Sequence, residues 1–101
     1  MSFKFKIAQR ADRHIRVAAA WWDKNRTDAP AMFAEDLASA FALIEEFPHA
    51  GEAISHPRIP ELRRVLLSRA QYHLYYNVLL DDGVVEVLAL WHTSRGKKPQ
   101  L

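Results

Sequence analysis

The chain contains no cysteine. Disulfide stapling and thiolate chemistry are therefore excluded, and a reducing compartment suits it. Glycine is scarce, at 3 residues, and no glycine-rich phosphate loop is present. No apolar run approaches the roughly 20 residues that cross a bilayer. The opening Met1-Ser2-Phe3-Lys4-Phe5-Lys6 has no apolar stretch behind its charges and does not read as a signal peptide. These absences describe a soluble, cytoplasmic protein. The histidines His14, His49, His56, His73 and His92 never stand four apart, so no metal site is expected, and no motif calls for a cofactor.

What is present is ordinary for one globular domain spanning residues 1–101, since half the residues are apolar. A core built from so short a chain is thin, which leaves apolar surface for a partner. The net charge is only +2, but its distribution is uneven. From His92 onward the chain carries Arg95, Lys97 and Lys98 and no acid. Arg58, Arg63, Arg64 and Arg69 precede the last two predicted strands. Acids gather instead at Glu35, Asp36, Glu45 and Glu46. The second half thus offers a positive region to an anionic partner, although a merely solvated basic face has the same composition.

Periodicity divides the chain into elements. Phe3 to Ile7 alternates apolar and polar residues and reads as a half-buried strand. A helix follows over about Ala8 to Asn25, with Ala11, Ile15, Ala18 and Trp22 on one face. Trp21 lies about 100° from Trp22 around that helix, so one indole belongs at the edge. Thr27 or Asp28 is placed to cap a second helix, with Pro30 in its first turn. Phe33, Leu37, Ala40, Phe41 and Ile44 form its apolar face, and Phe47-Pro48 ends it. Glu52 to Pro60 reads as a loop and Leu62 to Leu67 as a strand. After a turn at Ser68-Arg69-Ala70, Tyr72 to Leu80 reads as a buried strand. Asp81-Asp82-Gly83 is a hairpin turn in which Gly83 supplies positive φ. Val84 to Trp91, apolar on both faces apart from Glu86, belongs inside the sheet. Gly96 to Leu101 reads as a polar tail. The sum is an α+β fold: an N-terminal strand, an α-helical hairpin, then three mostly antiparallel strands.

Cleaving RNA through its 2′-hydroxyl needs a base, an acid and cations around the reacting phosphate. His73, His92, Arg63, Arg64 and Arg95 supply those types, as do Tyr72, Tyr75 and Tyr76. Each also has a structural reading. A histidine at a strand end often satisfies a backbone group, and Tyr72 and Tyr76 share a face with Leu74 as core residues would. Arg63 and Arg64 should point to opposite faces, so at most one reaches a given site. The Trp21-Trp22 pair reads as packing or partner contact.

Four stretches, in this order and in a chain of this length, carry a resemblance. They are Leu43 to Gly51 ending in Pro48-His49-Ala50-Gly51, Leu62-Arg63-Arg64, Tyr72-His73-Leu74-Tyr75-Tyr76-Asn77-Val78, and Val84 to Trp91 followed by His92-Thr93-Ser94-Arg95. Over nearly its whole length the chain resembles the RelE/ParE superfamily of bacterial type II toxins. That resemblance implies the RelE/ParE toxin-like fold and two functional branches. RelE-like members are ribosome-dependent endoribonucleases that cut messenger RNA. ParE-like members poison DNA gyrase and block replication, and such systems stabilise plasmids. RelE-like toxins tend to carry an arginine where this chain has His73, and a C-terminal tyrosine, whereas no tyrosine follows Tyr76 here. The ending is similar to ParE-like members. The resemblance therefore implies a non-catalytic gyrase inhibitor whose target-binding residues are His92, Arg95, Lys97 and Lys98. It also implies a cognate antitoxin, acidic in its toxin-binding segment, that contacts Trp21, Trp22, Arg63 and Arg64. Deleting everything after Trp91 should on this reading spare folding. A ribonuclease using His73 and His92, and a toxin relic serving only as an interaction module, are the alternatives.

Overall fold

The computed structural model describes residues 3–101; Met1 and Ser2, which open the charged start, lie outside them. β1 (Lys4–Ile7) passes almost directly into α1 (Gln9–Asn25) and then α2 (Met32–Glu46). β2 (Glu52–Ala53), β3 (Leu62–Leu67), β4 (Tyr72–Leu79) and β5 (Val84–His92) complete one sheet, ordered β1-β5-β4-β3-β2. β1 runs parallel to β5, and the remaining neighbours are antiparallel. The expected α+β order is therefore observed, with β5 interior as its two-sided apolar pattern requires.

Both helices cover one face of the sheet, α1 chiefly over β5 and α2 over β3. Ala11, Ala18 and Trp22 of α1 and Phe33, Ala40 and Ile44 of α2 are buried against Leu74, Tyr76, Val85 and Val87. Each fully buried valine or leucine contributes about 1.5–3 kcal/mol through removal of apolar area from water. Phe5 meets Phe41 edge-on at 4.9 Å between centroids, and Phe33 meets Tyr72 at 5.5 Å. Such edge-to-face contacts fix relative orientation as well as burying area. The tryptophans divide as the helical geometry demands: Trp22 is 4% exposed and Trp21 is 51% exposed.

The opposite face has its own smaller apolar cluster. Leu62, Tyr75 and Ala89 are buried beneath Ile54, Ile59, Leu88, Trp91 and Leu101. Leu101 comes from the stretch expected to be a polar tail. That stretch instead folds back: Trp91 Nε1 donates to Lys97 O at 2.7 Å, Arg10 donates to Gln100 O, and Arg58 donates to Leu101 O at 3.4 Å. Thin cover over the outer face gives the tail a docking surface that its own composition does not advertise.

Two local expectations are corrected. The predicted loop at Glu52 begins with β2, whose two residues pair with Arg64 and Arg63. Two residues are too short for any alternation to register. α2 starts at Met32 and has no side-chain cap, because its N-cap residue is Ala31; Thr27 and Asp28 lie too far back, and the Asp28 carboxylate is engaged by Arg26 at 3.2 Å. Successive turns over residues 26–32 carry the chain into the helix instead. The hairpin turn is as expected, with Gly83 at φ 63° closing a single 3-10 turn at Leu80–Asp82.

One irregularity interrupts the pairing at the centre of the sheet. The β4–β5 register shifts between Tyr75, opposite Ala89, and Tyr76, opposite Val87. Leu88 is the extra residue of this β-bulge, and it switches the parity of β5. Val85 and Val87 face the helices before it, and Leu90 faces them after it.

Candidate functional site

The bulge decides where the end of β5 points. Trp91 falls on the outer face and His92 on the helix face, opposite Tyr72. The His92 ring meets Tyr72 edge-on at 4.9 Å. Its Nδ1 accepts the Ser94 amide at 3.1 Å and lies 2.7 Å from Ser94 Oγ. In a neutral ring, an acceptor Nδ1 leaves the proton on Nε2. Thr93 N donates to Gln71 O at 2.9 Å, which ties this end of β5 to the β3–β4 turn. Gln71 holds φ 64°, a left-handed conformation that was not anticipated in the sequence. Arg95 returns over Trp91, its guanidinium carbon 3.9 Å from the ring centroid. A cation on an indole face is stabilised by the ring quadrupole and keeps its remaining donors free.

Arg64 and His73 also stand on the outer face. Arg64 donates to Glu52 Oε1 at 2.8 Å and to Tyr75 Oη at 3.0 Å. The Glu52 hydrogen bond and charge raise the Arg64 pKa and lower that of Glu52. The His73 ring lies 6.2 Å from that of Tyr75, and burial followed by the Arg64 charge lowers its pKa. Arg64, His73, Tyr75, Trp91, His92, Arg95 and Lys98 line a cleft of 290 Å³. Lys97 and Lys98 are exposed on the same strap. The structure thus brings together Arg64, His73, His92, Arg95, Lys97 and Lys98.

Arg63 is set apart from them, as the alternation of a strand requires. It donates to His49 O at 3.1 Å and Gly51 O at 2.8 Å, stapling the segment after α2 to β3. Beside it the Tyr76 hydroxyl donates to Pro48 O at 2.8 Å and accepts from Gly51 N at 3.0 Å. A Cβ at Gly51 would sit 2.5 Å from that hydroxyl and 2.9 Å from Arg64 O. The Pro-x-x-Gly ending of α2 is therefore a packing device, and Arg63 belongs to it.

On the helix face, a groove runs between the C-terminal half of α1 and the ends of β4 and β5. It consists of two adjoining hollows of 540 and 350 Å³ that share Trp21, Tyr72 and His92. Arg26 lies over the Trp22 ring at 4.8 Å. Arg13, Val17 and Trp21 form a stripe at i, i+4, i+8, which the sequence contained but which the buried stripe overshadowed. Val17 is 65% exposed. Among the described residues no cluster of His, Asp or Glu is arranged to hold a metal ion, and no helix is long and apolar enough to cross a membrane.

Two helices on one face of a five-stranded sheet, with a cationic strap leaving its interior strand, define a toxin of the RelE/ParE superfamily. The family model for the ParE toxin of the type II toxin-antitoxin system parDE matches residues 5–96, and the chain belongs to that family. No curated protein sequence matches it. Its fold is similar to that of the chromosomal ParDE system from P. aeruginosa, with TM-score 0.65 and 12% identity over 90% of this chain and 96% of that one. It is also similar to the intact E. coli RelBE toxin-antitoxin complex, with TM-score 0.63 and 20% identity over 93% and 100%. RelBE2 of Mycobacterium tuberculosis gives TM-score 0.65 and 16% identity over 91% and 99%. At such identities these structures establish the fold alone.

Proposed function

We propose that this toxin acts by binding: it poisons DNA gyrase, blocks replication in the cytoplasm and is neutralised by a cognate antitoxin. The observation that carries this reading is the exposed cationic strap beyond β5. General acid–base cleavage of RNA needs an acid and a base aimed at one phosphate. His73 and His92 both border the outer cleft, but the His73 ring packs beside Tyr75 whereas the His92 ring packs on Tyr72 and is held by Ser94. A binding toxin needs no such pair, only an exposed patch, and Arg95, Lys97 and Lys98 form one beyond β5. The match to the ParE family supports the same branch.

A second reading keeps one specific observation. The outer cleft gathers Arg64, His73, Tyr75 and Arg95, which supply cations, an imidazole and a phenol to one place. An endoribonuclease would work there, with His92 at the edge of the same cleft. Controlled expression separates the readings. Stabilised gyrase cleavage complexes and filamentous cells are expected. Defined cuts in translated messages with intact gyrase turnover would establish the ribonuclease instead. Absence of any growth defect would leave a relic that only binds its partner.

A further inference from the structure

The groove beside α1 contains a donor with nothing to donate to. Trp22 is 4% exposed, and among the described residues its Nε1 is buried without a hydrogen-bond partner. Tyr72 lines the same wall, and desolvation raises its pKa against the opposing pull of the neighbouring Trp22 N–H and the Arg95 charge. A buried N–H left unpaired costs about 1–3 kcal/mol, which an arriving acceptor recovers. The surroundings specify that acceptor's charge. Arg26 and Arg69 flank the larger hollow, and Arg13 and Arg95 flank the smaller one. No acidic residue lines either. Arg69 is matched by Glu35 and Asp36, and Arg26 by the exposed Asp28, whereas Arg13 and Arg95 make no ion pair among the described residues. Between the two hollows stands an apolar ridge, Val17 and Trp21, 65% and 51% exposed on consecutive turns of α1.

We propose that this groove receives an acidic, apolar-faced segment of the antitoxin, with one carboxylate anchored on Trp22 Nε1 and Arg26. The inference rests on the proposed neutralisation by an antitoxin and specifies where and how that partner sits. Its apolar side chains cover Val17 and Trp21, and further acids meet Arg13 and Arg95. A free small anion would use the Trp22 end but has no need of the ridge. The geometry also gives a route to neutralisation. His92 lines both hollows and Arg95 one of them, so a segment in the groove covers the start of the strap that carries Arg95, Lys97 and Lys98. Docking and target engagement then compete for the same few residues.

The test uses the complex of the ¹⁵N-labelled full chain with the product of the adjacent reading frame. The Trp22 indole resonance should move downfield on complex formation as its N–H gains an acceptor. Arg26→Gln and Arg13→Gln should each weaken binding about tenfold at low salt, the loss shrinking as salt rises. Trp22→Phe removes the donor, and its thermal melt separates lost binding from lost folding. Val17→Asp should weaken binding by repelling the acidic segment. An indole resonance that stays in place in the complex, or arginine variants that bind within twofold of the parent, would overturn this inference and leave the antitoxin reading standing. No complex at all would overturn both.

Discussion

At the residue scale, two side chains that look unremarkable in the sequence hold the architecture together. Asp36 reads as one of several surface acids, yet it is 8% exposed. Its carboxylate accepts from Ala70 N at 2.8 Å, Arg69 N at 2.9 Å and Arg69 Nε at 3.2 Å. Burial alone would raise its pKa, but these donors outweigh that and hold it below the ordinary carboxylate value. Asp36→Ala leaves two turn amides without an acceptor, and should cost about 1–3 kcal/mol in chemical denaturation. A denaturation midpoint equal to the parent's would show that water replaces the carboxylate freely. His14 works in the opposite sense. Its Nδ1 accepts Leu90 N at 3.2 Å, just past the bulge, and the groups bearing on it are Arg10, Arg13 and Arg95. Burial first, then those three cations, lowers its pKa. The unfolded chain therefore binds this proton more tightly. Stability is whole above the free value of 6.5 and declines as pH falls below it. Thermal melts from about pH 7.5 to about 5.5 should show that decline, to which His73 adds because its pKa is lowered too, and His14→Gln should make it shallower. An equally steep decline in His14→Gln would assign the effect to another group.

At the element scale, the fold was legible where periodicity lasted several residues. α1, α2, β3, β4 and β5 each announce themselves through an apolar repeat, and Gly83 marks the β4–β5 turn. β2 was not legible, because two residues carry no repeat. The bulge was hidden for a different reason: Val84 to Trp91 is apolar on both faces, so a change of parity leaves the pattern looking the same. That one missed feature reorients a residue of the candidate site. The sequence pointed to His73 and His92 as possible partners, and the shifted register packs the His92 ring on Tyr72 while both residues still border the outer cleft. It could not distinguish Arg63 from Arg64 either, beyond saying that they diverge. Deleting Leu88 tests the bulge directly. Regular pairing would return, with Ala89 taking the outward position after Val87, so Leu90 and His92 keep the helix face. The burial of Leu90 and the His14 bond are then retained, and stability should stay close to the parent's. Denaturant unfolding measures it. A large loss of stability would mean that the local twist of the bulge is required rather than tolerated.

At the scale of the whole molecule, the sheet is covered on one face by two helices and on the other by little more than a loop and the folded-back strap. The strap therefore has two jobs that the sequence merged into one. Its backbone and Leu101 close the outer cluster, through Trp91 Nε1 to Lys97 O and the packing of Leu101 near Leu62 and Tyr75. Its side chains Lys97 and Lys98 project into solvent and carry the proposed contact with the target. Deleting everything after Trp91 removes both jobs together, along with the Thr93–Gln71 bond, so a loss of toxicity in that variant says nothing about contact. The expectation that folding survives such a deletion does not fit this packing. Truncation after Gly96 should lower the melting temperature, at about 4–8 °C for each kcal/mol lost in a domain of this size. Lys97→Gln combined with Lys98→Gln keeps the backbone bond and Leu101, so its melting temperature should match the parent's while toxicity falls. The two measurements read different properties. A truncated chain that melts with the parent would make the strap a passenger on the sheet. A fully toxic double variant would move target recognition off the lysines and back toward Arg95 and the end of β5.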